Sequence, residues 1–379
     1  MQWYATPPQK KINDMLTNAN TPWNLEKIAR LADMDHINLA TLLHRLGRFT
    51  TSTTADWADA VQHTVNSPLF EEVIRTTIDN ARGFNSKSAA TALWGITKLY
   101  TAGHFHADPR LTGMFLEVLA ALEGALQNTL PTTAQQEGMT QKGVSMVWYC
   151  VGAIVENGGH PLSRFTMNKL WERTHELCIT TIRCMLYNND DTDRFDAFGI
   201  SNVILAIGQL CRHARQMRHP CDVHVPHPFD VPDVTLSLLA TIARMLVPTM
   251  TVQGLVSCAT GCSQMHLANA SVMSFTESLV TEAAVVRPEV FSSVKSMHDM
   301  VTAVCDLPHL MAFPDTRKML VNFRASVPMT DRGKRLLQAI DHAELLVETA
   351  ERTRMLALQV SHDNATALLG CLKRYLQHM

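Results

Sequence analysis

The sequence has almost no excess of charge. Its 33 Lys and Arg stand against 35 Asp and Glu, a formal net charge of −2. A free-standing nucleic-acid-binding domain usually carries a marked basic excess, so any such contact here has to be local. Charge of either sign is scarce, at 18% of residues, below the usual quarter. Much of the surface is therefore neutral, which suits a chain covered by partners. Long apolar runs are also missing. None approaches the roughly 18 residues needed to span a bilayer, and no membrane contact is expected. The nine cysteines are scattered, odd in number and without a CxxC pair, which excludes a secreted disulfide framework. Most fall in apolar stretches, where a free thiol packs as a small hydrophobe. The G-x-S-x-G elbow, Walker loop, dinucleotide glycine fingerprint and H-E-x-x-H motif are all absent, so neither catalysis nor a cofactor is expected. Residues 1–11 lack the apolar core of a signal peptide and the Arg/Ser-rich helix of a transit peptide. The expectation is a chain that is not exported, or one whose presequence has been removed.

What the sequence does have is apolar residues, 46% of the total, arranged with a helical period. Ile200, Val203, Ile204, Ile207, Leu210 and Cys211 mark one face of an α-helix, spaced 0, +3, +4, +7, +10 and +11. The same template fits from Leu39, Ala89, Val144, Val252 and Val294, and more weakly from Gly333. Successive starts at 39, 89, 144, 200, 252, 294 and 333 are 39 to 56 residues apart. Eight residues after each of the first six starts stands a small residue: Gly47, Thr97, Gly152, Gly208, Thr260 or Thr302. Small residues in register let neighbouring helix backbones come close, so the same helix–helix contact is expected to recur. Asp341 breaks this pattern in the seventh copy, as an atypical terminal repeat does.

Each template helix, termed A, is followed by a loop and a second helical stretch, B. Pro68, Pro109, Pro161, Pro232 and Pro314 lie at or just before B starts, where a missing N–H costs nothing. B helices are expected at 68–82, 109–129, 163–186, 233–247, 268–284, 314–325 and 363–377. The predicted fold is all-α, an α-solenoid of about seven helical hairpin repeats. Residues 1–36 form an N-terminal helical cap, 37–330 the repeat array, and 331–379 a C-terminal helical capping hairpin. The polar stretch 130–141 and the Pro/His-rich stretch 212–232 read as long loops, and no linker divides the chain.

The segments INLATLLHRLGRF (37–49), SAATALWGITKLY (88–100) and GISNVILAIGQLC (199–211) resemble the A helices of octotricopeptide and heptatricopeptide repeat proteins. That style of helix also occurs in FAST-kinase-like and RAP-domain proteins of organelles. The resemblance covers roughly residues 37–326. It implies a mitochondrial (matrix) or plastid location and work on RNA, either transcript maturation or the holding of ribosomal RNA within a mitochondrial ribosome. Residues 331–379 read as helix rather than as the strand-rich RAP module, so no nuclease-like activity is carried over. The 39-to-56-residue interval is longer than that of code-reading arrays, so base-by-base readout is not expected.

RNA-reading repeats place polar or basic side chains at fixed outward positions of one helix. Six residues after each start stand Arg45, Gly95, Cys150, Ala206, Cys258 and Met300; nine after stand Arg48, Lys98, Ala153, Gln209, Gly261 and Ala303. Taken as outward, these rows make a mostly uncharged, protein-contacting face. A possible RNA-contact end lies near Arg45, Arg48, Lys87 and Lys98. A second cluster is Arg212, Arg215 and Arg218 with His213 and His219, expected in an exposed insertion. Contact through phosphates rather than bases is expected. Further cations (Arg317 and Lys318; Arg332, Lys334 and Arg335) read as solvated helix ends.

Other constellations read as structural. His219, Cys221, His224 and His227 could hold a zinc ion in number, but their spacing matches no known finger and Pro220, Pro226 and Pro228 stiffen the run. No metal is expected, there or at His104 and His106. Cys258 and Cys262 are expected to pack, Asp190, Asp191 and Asp193 to precede a helix start, and Trp94 and Trp148 to sit in the core. The partners implied are neighbouring proteins of a large assembly and RNA, above all ribosomal RNA through its backbone. The alternatives are a free trans-acting organellar RNA-binding factor and a protein-only solenoid adaptor.

Overall fold

The computed structural model describes residues 7–31, 33–50, 55–105, 110–115, 117–118, 121, 141–157, 196–217, 233–265 and 269–377. Helices and the turns joining them account for the described residues, and no strand occurs among them. Contacts divide the chain into two compact units, Met1–Thr235 and Leu236–Met379.

In the first unit the helices are α1 (Pro7–Thr17), α2 (Pro22–Leu31), α3 (His36–Phe49), α4 (Ala55–Val65), α5 (Pro68–Asn80), α6 (Ser86–Thr101), α7 (Gln141–Asn157) and α8 (Ala197–Met217). Residues 110–115 are also helical. Helix starts follow local chemistry. Asp35 caps α3 by accepting from the backbone N–H groups of Ile37 and Asn38 at 3.0 and 2.9 Å. Ser67 accepts from the N–H of Phe70 at 3.2 Å, with Pro68 in the first turn of α5. Asn85 accepts from the N–H of Ser88 at 2.8 Å to begin α6. Each cap satisfies a donor that the helix itself leaves unpaired.

The template helices α3, α6, α7 and α8 pack in a row, each against the next. Their apolar template positions are buried, from Leu39 and Leu43 through Leu93, Trp148 and Val151 to Ile204 and Leu210. The approach is very close at the small residues. A Cβ added at Gly47 would stand 2.8 Å from the Gly95 carbonyl oxygen, and one at Gly152 would stand 2.8 Å from Ala206 Cα. Both are nearer than non-bonded carbon atoms ordinarily come.

The expected loop between the first A and B helices contains a further helix, α4, whose Trp57 meets Phe49 edge-on at 4.9 Å between ring centres. The segment read as an N-terminal helical cap holds two helices, α1 and α2. Helix α1 packs on α3. Asn38 there donates to the Gln9 carbonyl at 3.0 Å, and Thr41 donates to Asn13 at 2.6 Å. The proposed insertion from residue 212 is corrected as well: α8 continues to Met217, because no Gly or Pro stops it before Pro220. The expected B helix at 163–186 and the loop at 130–140 lie outside the described residues.

The second unit contains α9 (Asp233–Leu246), most of which belongs to it, α10 (Val252–Met265), α11 (Ala270–Thr281), α12 (Val294–Cys305), the short α13 (Pro308–Met311), α14 (Pro314–Ala325) and α15 (Asp331–Gln377). Helix α12 packs on both α10 and α15, while α11 and α14 meet through a π-helical turn at Glu282–Val286. Arg287 pairs with the buried Glu282 and donates to the carbonyls of Val247 and Met250 at 3.2 and 3.1 Å. One guanidinium thus ties the end of α11 to the turn after α9. The recurrent small position does not carry through this unit: Thr260 is half-buried and Thr302 exposed.

The capping hairpin expected at 331–379 is instead one helix of 47 residues. Between Gly333 and Gly370 the sequence holds neither Gly nor Pro, so nothing breaks the backbone hydrogen-bond ladder. Gly333, Leu336, Ile340, Ala343 and Val347 form its buried face. Glu351 to Met355 are all exposed.

Candidate nucleic-acid interface

The row six residues after each template start is not outward. Gly95 is buried, and Cys150, Ala206, Cys258 and Met300 are at most 1% exposed. Apart from Arg45 on the first of these helices, the row is neutral because it lies at the contact between A helices, where a charge would be buried. It offers no surface to a partner. Facing solvent on these A helices are residues two and five after the start: Thr41 and His44 on α3; Thr91 and Trp94 on α6; Met146 and Tyr149 on α7; Asn202 and Leu205 on α8. Of the row nine after it, Arg48, Lys98 and Gln209 also face solvent, whereas Ala153, Gly261 and Ala303 are buried.

Four of these side chains form a continuous line across three helices. The rings of His44 and Trp94 lie 4.7 Å apart between centres. The Lys98 ammonium sits 5.4 Å from the Trp94 ring centre and 4.7 Å from that of Tyr149. Helical spacing produces the line. Trp94 and Lys98 are four residues apart and so share a face, and the close packing through Gly47 and Gly95 brings α3 and α6 together. His44 is held neutral, its pKa pushed down to about 4 by burial and then by the positive charges of Arg48, Arg45 and Lys142. Every charge that shifts it is a cation.

The four A helices of this unit carry Arg45, Arg48, Lys87, Lys98, Lys142, Arg212 and Arg215 against a single carboxylate, Glu156. Helices α4 and α5 carry the reverse: Asp56, Asp59, Glu71, Glu72 and Asp79 against Arg75. A nearly neutral chain therefore has a basic row and an acidic layer in one unit. In the second unit α10 has no Lys, Arg, Asp or Glu, and α12 has one of each sign.

The sequence-predicted contact residues separate into groups. Arg48 and Lys87 are exposed and Lys98 half-buried. Arg45 is a structural residue: half-buried, it donates to the Ala19 carbonyl and lies 5.6 Å from the Phe49 ring centre. It ties α3 to the turn after α1. Arg212 pairs with Glu156 on α7, and Arg215 is exposed on the last turns of α8. Both lie on a helix rather than in a loop. Arg218, His219, Cys221, His224 and His227 lie outside the described residues, as do His106 and Asp190, Asp191 and Asp193. Lys142, Tyr149 and His44 were not singled out from the sequence. A run of A helices with a single carboxylate among seven cations was the signal that could have found them.

Trp148 is fully buried, as expected, but Trp94 is half-exposed and belongs to the surface line rather than the core. Cys258 and Cys262 are buried. Burial pushes the Cys262 thiol pKa well up and that of Cys150 to about 12. Buried His104 lies 2.7 Å from Gln62, its pKa lowered by burial. Arg317 pairs with Glu351, and Lys318 and Lys334 with acids in their own helices. No trio of His, Cys, Asp or Glu among the described residues is placed to hold a metal ion. No described helix is long and apolar enough to cross a membrane. No protein-family model matches the chain, and no curated protein is significantly similar to it. Cations interleaved with aromatic rings on helices that hold a single carboxylate can attract a polyanion and offer flat apolar surface beside the charges.

Proposed function

We propose that the chain is a non-catalytic helical-repeat scaffold, an α-solenoid of helical hairpins closed by one long C-terminal helix, within an organellar ribonucleoprotein. The assembly is a mitochondrial ribosome, where the scaffold meets neighbouring proteins and the ribosomal RNA backbone. The observation that carries this reading is the charge arrangement of the A helices, seven cations to one carboxylate in a chain of net charge −2. The resemblance of α3, α6 and α8 to octotricopeptide-type helices supports it. A basic edge on a protein without overall basic charge suits a component that touches RNA along one side and protein elsewhere. The test is sedimentation of organelle lysate. The protein is expected to travel with ribosomal particles and to leave them in high salt, and a protein found only as a free species overturns the reading.

The line of rings and cations favours a second reading, a free trans-acting RNA maturation or stability factor. That factor needs autonomous affinity, seen as sub-micromolar retention of single-stranded RNA by purified protein in a filter assay, with steep salt dependence. RNA crosslinks absent from cells would leave a protein-only adaptor.

A further inference from the structure

We propose that the His44–Trp94–Lys98–Tyr149 line is a platform on which unpaired bases of a single nucleic-acid strand stack, with Arg48 and Lys142 taking the flanking phosphates. The proposal rests on the RNA-contacting reading above and deepens it, since that reading needs only the backbone.

Three observations converge. The rings come from three successive A helices, α3, α6 and α7, and join into one line, with the His44 and Trp94 ring centres 4.7 Å apart and Lys98 bridging Trp94 to Tyr149. The field is of one sign, because the charges that shift His44 are Arg48, Arg45 and Lys142. Arg48 and Lys142 are exposed while the rings are only half-exposed, so exposed charges accompany flat, partly covered apolar surface. Base faces stack on aromatic rings irrespective of sequence, and cations track the backbone. Bases paired in a duplex are already stacked and cannot reach such rings, so the ligand is single-stranded.

Lys98 gives the platform a closed and an open form. In the free protein its ammonium covers the Trp94 and Tyr149 faces. An arriving phosphate draws the ammonium away, and the uncovered rings receive the bases. His44, neutral at physiological pH, contributes a ring face rather than a charge.

The test measures binding of the purified full-length chain to two labelled strands of equal length, oligouridylate and its abasic counterpart. The base-containing strand is expected to bind at least tenfold more tightly. Trp94→Leu should remove most of that difference and leave abasic binding unchanged. Tyr149→Leu, a second variant on another helix, should reduce it in part, with circular dichroism and melting confirming that both fold. Changing Arg48, Lys98 and Lys142 together to Gln should weaken both strands. It should also reduce the slope of log affinity against log salt by about 2, three phosphates at roughly 0.7 each for a single strand. Equal affinity for the two strands overturns the stacking proposal while leaving backbone contact intact. A Trp94→Leu protein that discriminates between them as fully as the unaltered chain does the same. Competition by polyglutamate as effective as by RNA overturns the nucleic-acid assignment in favour of an acidic protein segment. Absence of binding by either strand defeats the platform, whereas the scaffold reading is decided by co-sedimentation.

Discussion

Replacing Gly95 by Ala sets two effects against each other. Ala is the better helix former by about 1 kcal/mol, so at an open site the change stabilises. At Gly95 the new Cβ would stand 2.3 Å from the Leu43 carbonyl oxygen, 2.4 Å from its carbon and 2.7 Å from the His44 nitrogen. All three are backbone atoms of α3, and no rotamer change can move them. Restoring ordinary contact at about 3.4 Å requires the two helices to part by roughly 1 Å, loosening the packing of Leu43, Leu46, Ile96 and Leu99. Overpacking a core typically costs 1–3 kcal/mol, and backbone on both sides places this case at the upper end. The net loss should be about 1–2 kcal/mol. Gly113, also in a helical stretch, is the matched control: its Cβ would meet nothing within 4 Å, so Gly113→Ala should gain up to about 1 kcal/mol. Urea titrations followed by circular dichroism compare the two midpoints. The reasoning fails if Gly95→Ala unfolds at or above the unaltered protein's midpoint.

Acid should destabilise the first unit. His44 titrates near 4 in the fold against about 6.5 unfolded, so between these values the unfolded chain binds more protons and stability falls as pH falls. Discounted for solvent reaching the ring, the loss is about 1–3 kcal/mol, seen as a melting temperature that declines from pH 6.5 toward 4 and more shallowly in His44→Gln. Arg287→Ala should cost the second unit about 2–4 kcal/mol, because it strands the buried Glu282 carboxylate; adding Glu282→Gln should recover part of the loss in denaturant titrations. Cys150 and Cys262, buried with raised thiol pKa values, should resist iodoacetamide at pH 8 until the protein is denatured, as peptide mapping by mass spectrometry would reveal.

The A helices were legible because their apolar period is long and uninterrupted: each template start from Leu39 to Val294 falls within or at the start of an observed helix. The small residue at Gly47 and Gly152 also signalled a real close approach. Sequence spacing alone could not say which flank of each helix met its neighbour. Arg45 suggested that its row faced water, yet Cys150 and Met300 in the same row are buried. Arg45 is compatible with that position only because the row's first helix packs against the turn after α1, whose Ala19 carbonyl receives the guanidinium. Trp94 was assigned to the core for its apolar bulk, but its ring lies at the boundary, covered by His44 and Lys98 from adjacent turns and helices. The C-terminal break was expected from symmetry with earlier hairpins, although the residues there contain no helix stop.

The separation of cations on the A helices from carboxylates on α4 and α5 also governs arrival. A molecule of nearly zero net charge is neither drawn to a polyanion nor repelled by it at long range. Within a Debye length, about 8 Å at physiological ionic strength, the uneven charge exerts a torque. The first unit then turns its basic row forward before touching, and its acidic layer disfavours docking the other way round. Such orientation raises the productive fraction of encounters, and with it the association rate, more than it slows dissociation. Salt should therefore slow association at concentrations that leave dissociation almost unchanged.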